Sequence, residues 1–474
     1  MEVKKVKPFP KDFLWGSATS SFQCEGAANM YGKGASVIDK REVPEGQCNY
    51  DIASDHYHHY KEDVALMKEL GLKAYRFSIS WTRIFPSGSG IVNEEGVTFY
   101  NNLINELVNA GIEPIVTIYH FDYPQGLVDK YGGWISRESI NDYVNYAEFL
   151  FKTYGDRVKL WLTINEQDHV VHMPYRLGMA STNRKETEKL GFQANHHMCV
   201  ATALVIQKCH EIVNESKIGP AVCFDMMYPT SNNPNDVLAW IDAMDIRNYY
   251  ILDLHCEGRY NKIIENYLID RDMFPIVNSE DLNIMKDNKP DFIAFNYYAS
   301  KSVSSNPTTE SKKIGDIDFK LLPHAEAGIY KIVKNDNLSA TLWGWEIDEI
   351  GIRVAMRLLY DKYNLPLLIT ENGFGAVDKI PSNENEMIID DDRIDYLKKH
   401  IQQIKEAIND GVSVMGYCNW SFIDVISGHS GFSKRYGLVY VNRDDIDLKD
   451  CSRHKKKSFY WYKKVIDTNG EVLE

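Results

Sequence analysis

Two carboxylates stand where an apolar run gives way to a turn. Glu371 closes Leu367-Leu368-Ile369-Thr370 and precedes the turn-forming pair Asn372-Gly373, and Glu166 closes Trp161-Leu162-Thr163-Ile164-Asn165. Such runs read as strands buried on both faces, as in a parallel sheet. A buried strand gains nothing from a terminal carboxylate unless something outside the sheet uses it, because an unpaired ionised group is costly to desolvate. One strand-end Glu fits an Arg partner or a helix cap just as well. Two on strands of one sheet would meet at the same edge, and paired carboxylates are what glycosidic-bond cleavage requires. One protonates the leaving oxygen while the other attacks the anomeric carbon or activates water, at a separation of about 5 Å for retention. On these residues alone, a structural role stays as open as a catalytic one.

The elements that must position them follow from the hydrophobic rhythm. Short apolar runs alternate with segments of helical periodicity along the whole chain, the signature of βα units. The expected strands are Phe13 to Ser20, Ala74 to Trp81, Glu113 to His120, Val158 to Gln167, Lys217 to Phe224, Asp291 to Ser300, Pro366 to Phe374 and Val414 to Ser421. Between them, Tyr57, Tyr60, Val64, Met67 and Leu70 recur at helical spacing, as do Ile394, Leu397, Ile401, Ile404 and Ile408. Asp390, Asp391 and Asp392 suit the N-terminus of the second helix, and Asp410-Gly411 its end. The 474 residues could form two or three average domains, but no linker, repeat or low-complexity tract divides them. The expectation is an α/β fold, a single (β/α)8 TIM barrel over residues 1–474 with extended βα loops. Polar stretches at Gly32 to Gln47, Ala180 to Glu188, Ser302 to Asp318 and Ala376 to Asp390 are expected as loops, most of them at the face where barrel active sites form.

Composition narrows the partners. Hydrophobic content of 44% with 25% charged residues is that of a soluble globular protein. No apolar run approaches the roughly 20 residues needed to span a membrane. Met1-Glu2-Val3-Lys4-Lys5 leads into Pro8 and Phe9 without the apolar core of a signal peptide, so the expected location is cytoplasmic. The eight cysteines form no CxxC pair and read as reduced, buried thiols. A net charge of −14 argues against broad binding of nucleic acid or anionic membrane, so an anionic ligand needs a local basic site. His56, His58 and His59 open a helix, and His196 and His197 lie in an apolar helical segment, so both clusters are assigned to structure and no metal or cofactor is expected. Oligomeric state stays open, a homo-oligomer being compatible with all of this.

Several motifs in order make the chain resemble the family 1 glycoside hydrolases over essentially its whole length. They are Phe13-Leu14-Trp15-Gly16-Ser17-Ala18-Thr19-Ser20 with Gln23, Glu25 and Gly26; Tyr75-Arg76-Phe77-Ser78-Ile79-Ser80-Trp81; the strand end at His120; Asn165-Glu166; Asn296-Tyr297-Tyr298; and Thr370-Glu371-Asn372-Gly373. The resemblance implies that Glu166 is the general acid/base and Glu371 the nucleophile of a retaining mechanism. It implies that Arg76 and Tyr298 support the nucleophile. Gln23, His120, Asn165 and Asn296 would bind the sugar, Trp420 would form the floor beneath its ring, and Trp345 would line the aglycone side. Charge considerations add that Glu371 should be held ionised and Glu166 protonated.

Beyond Trp420 the chain departs from the usual glucoside-cleaving pattern. Where those members carry Glu and then Trp, this sequence has Ser427 and Gly428. Loss of the Glu removes a charge that would repel an anion, and Ser427, Lys434 and Tyr436 resemble the phosphate site of the family's 6-phospho-glycosidases. The galactoside-specific members place a Trp directly after the serine, so Gly428 favours a gluco-configured substrate. The C-terminal run from Lys455 to Lys464 resembles the bacterial 6-phospho-β-glucosidases as well, and its basic residues are expected on a solvated helix face. Gln167 and Phe121 differ from the residues common at those family positions, beside the catalytic groups. The resemblance thus implies hydrolysis of a small phosphorylated β-glucoside. A plain β-glucosidase, a 6-phospho-β-galactosidase and a sugar-binding barrel without activity are the alternatives.

Overall fold

All eight expected strands form and close into a barrel in this computed structural model, which describes residues 7–169, 173, 184–306, 325–326, 328–381, 386–428 and 430–474. They are β1 (Leu14–Ala18), β2 (Ala74–Ser78), β3 (Glu113–Tyr119), β4 (Leu160–Asn165), β5 (Lys217–Cys223), β6 (Ile293–Asn296), β7 (Leu367–Asn372) and β8 (Val414–Trp420). Each pairs in parallel with its neighbours in sequence, and β1 against β8 closes the ring. Every residue of β2, β4, β6 and β7 is buried, since side-chain layers fill the interior and helices cover the outside. The family 1 resemblance therefore meets the architecture that it implies.

The two helices read from periodicity are present at His56–Leu70 and Asp391–Asp410. In the second, Leu397, Ile401 and Ile404 are buried with Tyr396 and His400, while Ile394 and Ile408 lie half-buried at the margin of the stripe. Gly411 ends it at φ +108, a left-handed conformation that L side chains adopt only with strain.

Two expected loops are partly regular. Ser302–Ser305 continues the strand Ser300–Ser305, which pairs with Met226–Pro229 and Tyr330–Val333 in a small side sheet; residues 307–318 of that stretch lie outside the described residues. The helix Arg184–Ile212 starts inside the expected Ala180 to Glu188 loop, with 180–183 outside the described residues. Local polarity hid both, because a sheet and a helix pack on these segments from elsewhere in the chain. The stretches at Gly32 to Gln47 and Ala376 to Asp390 are irregular apart from isolated bridges, with 382–385 of the latter outside the described residues. All eight cysteines are free. Among the described residues no helix is long and apolar enough to cross a membrane.

The C-terminal lysine run is not uniformly solvated. Lys456 is fully buried, with Nζ at 2.6 Å from Asp378 and 2.7 Å from Asp424. Asp378 also pairs with Arg393 at 2.7 Å, and Asp424 with Arg435 at 2.8 Å. The run's basic composition could not distinguish this residue from Lys455 and Lys457, which pair near the surface with Glu69 and Asp391. Removing one member of a buried ionic cluster strands the opposite charges, at about 3–5 kcal/mol. Lys456→Met should therefore destabilise the protein by about that amount in urea unfolding, whereas Lys457→Met should stay within about 0.5 kcal/mol.

Candidate active site

Irregular strand ends aim the two carboxylates. β4 shifts register against β5 between Leu162 and Asn165, and β7 against β6 between Ile369 and Glu371. Such irregularities redirect side chains at a sheet's end. Glu166 itself takes a left-handed backbone, φ +45, held by its N–H to the Ala221 carbonyl at 2.6 Å and by the His169 N–H to its own carbonyl at 2.9 Å. That conformation costs a non-glycine residue about 1–3 kcal/mol and persists only where its surroundings enforce it. Both carboxylates line one cavity of about 520 Å³, a volume suited to a disaccharide-sized ligand.

Arg76, fully buried on β2, directs Nη1 at Glu371 Oε1 at 2.5 Å, and the Tyr298 hydroxyl donates to Oε2 at 2.8 Å. Thr117 Oγ1 at 2.8 Å and Asn165 Oδ1 at 2.6 Å hold the rest of the guanidinium. Around Glu166, Asn296 Nδ2 donates to Oε1 at 3.0 Å, and His169 Nδ1 lies 2.9 Å from Oε2. Asn296 is fixed in turn by Thr370 Oγ1, which donates to its carbonyl oxygen at 2.8 Å.

Burial pushes both carboxylates up. At Glu166 the charge of His169, with the Asn296 hydrogen bond, outweighs burial and holds the group down at about 2. At Glu371 burial and the Glu166 charge outweigh Arg76 and Tyr298, and the group rises to about 7. With His169 protonated, the expected pattern of an ionised Glu371 and a protonated Glu166 is thus inverted. The reason is His169, whose position three residues after Glu166 was the only signal of it in sequence. Without that cation Glu166 would lose the interaction that holds it down, while Glu371 would keep Arg76.

Of the other expected residues, Gln23, His120, Trp345 and Trp420 line the cavity. His120 stacks on Trp420 with centroids 6.2 Å apart, and burial together with Arg76 holds it well below its ordinary value, so it is a neutral imidazole. Asn165 and Asn296 lie beneath the lining, their amides engaged with Arg76, His120, Glu166 and one another. In this geometry they position the carboxylates. Gln167 points away, donating to Asn195 Oδ1 at 2.9 Å, while Phe121 lines the cavity and stacks on His169 at 5.9 Å. His56, His58 and His59 each meet a carboxylate, and His196 bridges Tyr260 and Asp281, in keeping with structural roles.

At the far end of the cavity stand Ser427, Gly428 and Tyr436. Lys434 sits just behind this wall, buried, with Nζ 3.5 Å from the Trp345 ring centroid, 5.0 Å from that of Trp343 and 5.4 Å from that of Tyr436. No carboxylate pairs with it among the described residues, and burial lowers it to about 7. Nothing lies within 4 Å of where a Gly428 side chain would start, so the space above it is open. Arg41, a cavity residue that sequence reading missed because its loop carries no motif, donates to the Gly428 carbonyl at 3.2 Å.

Comparison with known proteins agrees with this geometry. The family model described as glycosyl hydrolase family 1 matches residues 5–471. The aryl-phospho-beta-D-glucosidase BglC of Bacillus subtilis (strain 168) is 44% identical over 479 residues, covering 98% of each chain. A 6-phospho-beta-glucosidase of Clostridium longisporum is 41% identical over 480 residues, again with 98% of each chain covered. Among solved structures, a family 1 β-glucosidase from Thermotoga maritima superposes with a TM-score of 0.87 at 36% identity, over 99% of this chain and 100% of that one.

The electrostatics can be tested without substrate. In carbon-13 NMR of labelled glutamates, the last proton of the Glu166–Glu371 pair should leave near pH 7. His169→Gln removes a cation, so the lower step near pH 2 should rise by at least about one unit, equivalent to ~1.4 kcal/mol. An unchanged lower step in that variant would show that His169 does not set the charge of Glu166.

Proposed function

The chain belongs to glycosyl hydrolase family 1, and on that premise we propose that it hydrolyses 6-phospho-β-D-glucosides, phosphorylated disaccharides or aryl glucosides, to glucose 6-phosphate and an aglycone with retention. The observation that carries the phosphate is Lys434, a buried cation at the cavity wall with no anion of its own. Ser427 and Tyr436 add hydroxyl donors, and Arg41 brings a guanidinium to the same end. Charge-assisted donors of this kind suit a dianion. A Glu in place of Ser427 would oppose it.

The chemistry follows from the proton shared by the pair. With the sugar ring against Trp420, Glu371 attacks the anomeric carbon as Glu166 gives its proton to the departing oxygen, leaving a glycosyl ester on Glu371 and a carboxylate at 166. Esterification removes the Glu371 charge that had opposed ionisation of Glu166. Glu166 is then ready as a base, takes a proton from water, and the hydroxide equivalent displaces the sugar from Glu371 on the same face as the departed aglycone. Arg76, left short of its anion in the intermediate, regains it when the ester breaks.

Ser427, where plain β-glucosidases carry a Glu, argues against a plain β-glucosidase, and the open space above Gly428 leaves nothing to meet an axial hydroxyl in a galactoside. We place the reaction in the cytoplasm, in one catalytic domain spanning the chain, where sugars phosphorylated on import would meet it.

Side-by-side kinetics on p-nitrophenyl β-glucoside and its 6-phosphate should give a kcat/KM at least about 100-fold higher for the phosphate, worth ~2.7 kcal/mol. Equal values would refute phosphate recognition. Lys434→Met should remove most of the difference, and Glu371→Gln should abolish the glycosyl-enzyme. Inhibition by glucose 6-phosphate should be tightest between about pH 6, above which the phosphate is a dianion, and about 7, above which Lys434 loses its proton. Affinity should then weaken as pH rises, because only the charged ammonium attracts the anion.

A further inference from the structure

We propose that Asp168, His169 and Cys223 form a site for one thiophilic divalent cation of the Zn²⁺ class. One ligand atom from each residue lies within 4.8 Å of the other two. Asp168 and His169 are helical residues just after the Glu166–Gln167 turn that ends β4, and Cys223 ends β5, so two adjacent strand ends bring the set together. The donors are an oxygen, an imidazole nitrogen and a sulfur, a combination that suits zinc, cobalt or copper rather than magnesium or calcium. Donors around tetrahedral zinc stand roughly 3.3–3.8 Å apart, as bond lengths of about 2.0–2.3 Å require. The observed spacing therefore needs a contraction of about 1 Å, within reach of side-chain rotation.

Three further features favour a cation here. His169 and Cys223 are half-buried and line the cavity, so an ion reaches them from solvent. Cys223 is also the least buried of the eight cysteines, the other seven being fully inside. Asp168 is buried and pairs with no Lys or Arg among the described residues; one oxygen accepts the Cys223 N–H at 3.1 Å and the other lies 3.9 Å from His169 Nε2. Nearby Asp225 differs, being neutralised by Lys301 at 2.6 Å and Arg247 at 2.9 Å.

Binding displaces the Cys223 thiol proton to solvent, and the added thiolate and the Asp168 carboxylate balance the two charges of the ion.

The full-length protein, stripped with chelator and titrated with CoCl₂ alone, should bind one equivalent and show a near-ultraviolet thiolate-to-cobalt charge-transfer band. Cys223→Ser should lose the band, and Asp168→Asn should weaken cobalt binding at least about tenfold, both variants being checked by thermal melting. ZnCl₂ should displace the cobalt and bleach the band, EDTA should strip either ion, and both variants should need at least about tenfold more zinc. No band in the wild type, or the same band in Cys223→Ser, overturns the site. Failure of phosphate recognition would leave the cobalt band untouched, so the two readings stand or fall separately.

Discussion

A guanidinium buried at the centre of the barrel is the constraint from which the rest of the site follows. Arg76 has no exposed surface, and a charge so placed is costly to desolvate unless its donors are matched. Glu371, Thr117 and Asn165 match them, from β7, β3 and β4. Because Asn165 faces Arg76, Glu166 as the next residue turns the other way, and its left-handed backbone carries the carboxylate into the cavity. The same Asn165 meets His120, and Asn296 ties it to Glu166. Four strand ends are thereby locked to one cation, which fixes the carboxylates relative to each other before any substrate arrives.

The end of the cavity near Ser427 is held by a separate device. Asp424 accepts from Arg435, Lys456 and the Gly437 N–H, while Arg393 joins Asp378 to Asp390, so the segment from Ser427 to Tyr436 rests on a buried ionic cluster. Adjacent residues then take opposite directions. Arg435 turns inward to Asp424 and the Val441 carbonyl, whereas Lys434 turns toward the rings of Trp345 and Tyr436. Two basic residues side by side are indistinguishable in composition, and only the carboxylate that meets Arg435 assigns one to structure and leaves the other for a ligand. Gln23 connects the halves, donating to the Ile426 carbonyl at 2.7 Å while facing the cavity.

This division explains what could be read from the sequence. The barrel was legible because buried parallel strands must be apolar runs and the chain repeats them eight times, and the carboxylates stood out as a pair at two such strand ends whose catalytic reading came from the family motifs around them. Family motifs supplied Arg76, Tyr298 and Trp420. Long-range pairing hid the rest: Lys456 joins Asp378 and Asp424, and Arg41 reaches Gly428 across 387 positions. Asn296 was readable as a site residue, but whether it faces sugar or supports Glu166 depends on the hydrogen bond from Thr370.

His169 shows most sharply what a motif leaves out. Asn165-Glu166 carries the acid/base proposal, yet the charge of Glu166 depends on an imidazole three residues on, and that of Glu371 on Glu166. A carboxylate pair that shares one proton can serve retention only if the proton sits on the acid in the first step and is absent in the second. On the proposed roles, Arg76 would bias the first state by favouring the anion at Glu371, and ester formation would create the second by removing that anion. A cation at His169, on the cavity wall 2.9 Å from Glu166, would oppose the first and assist the second.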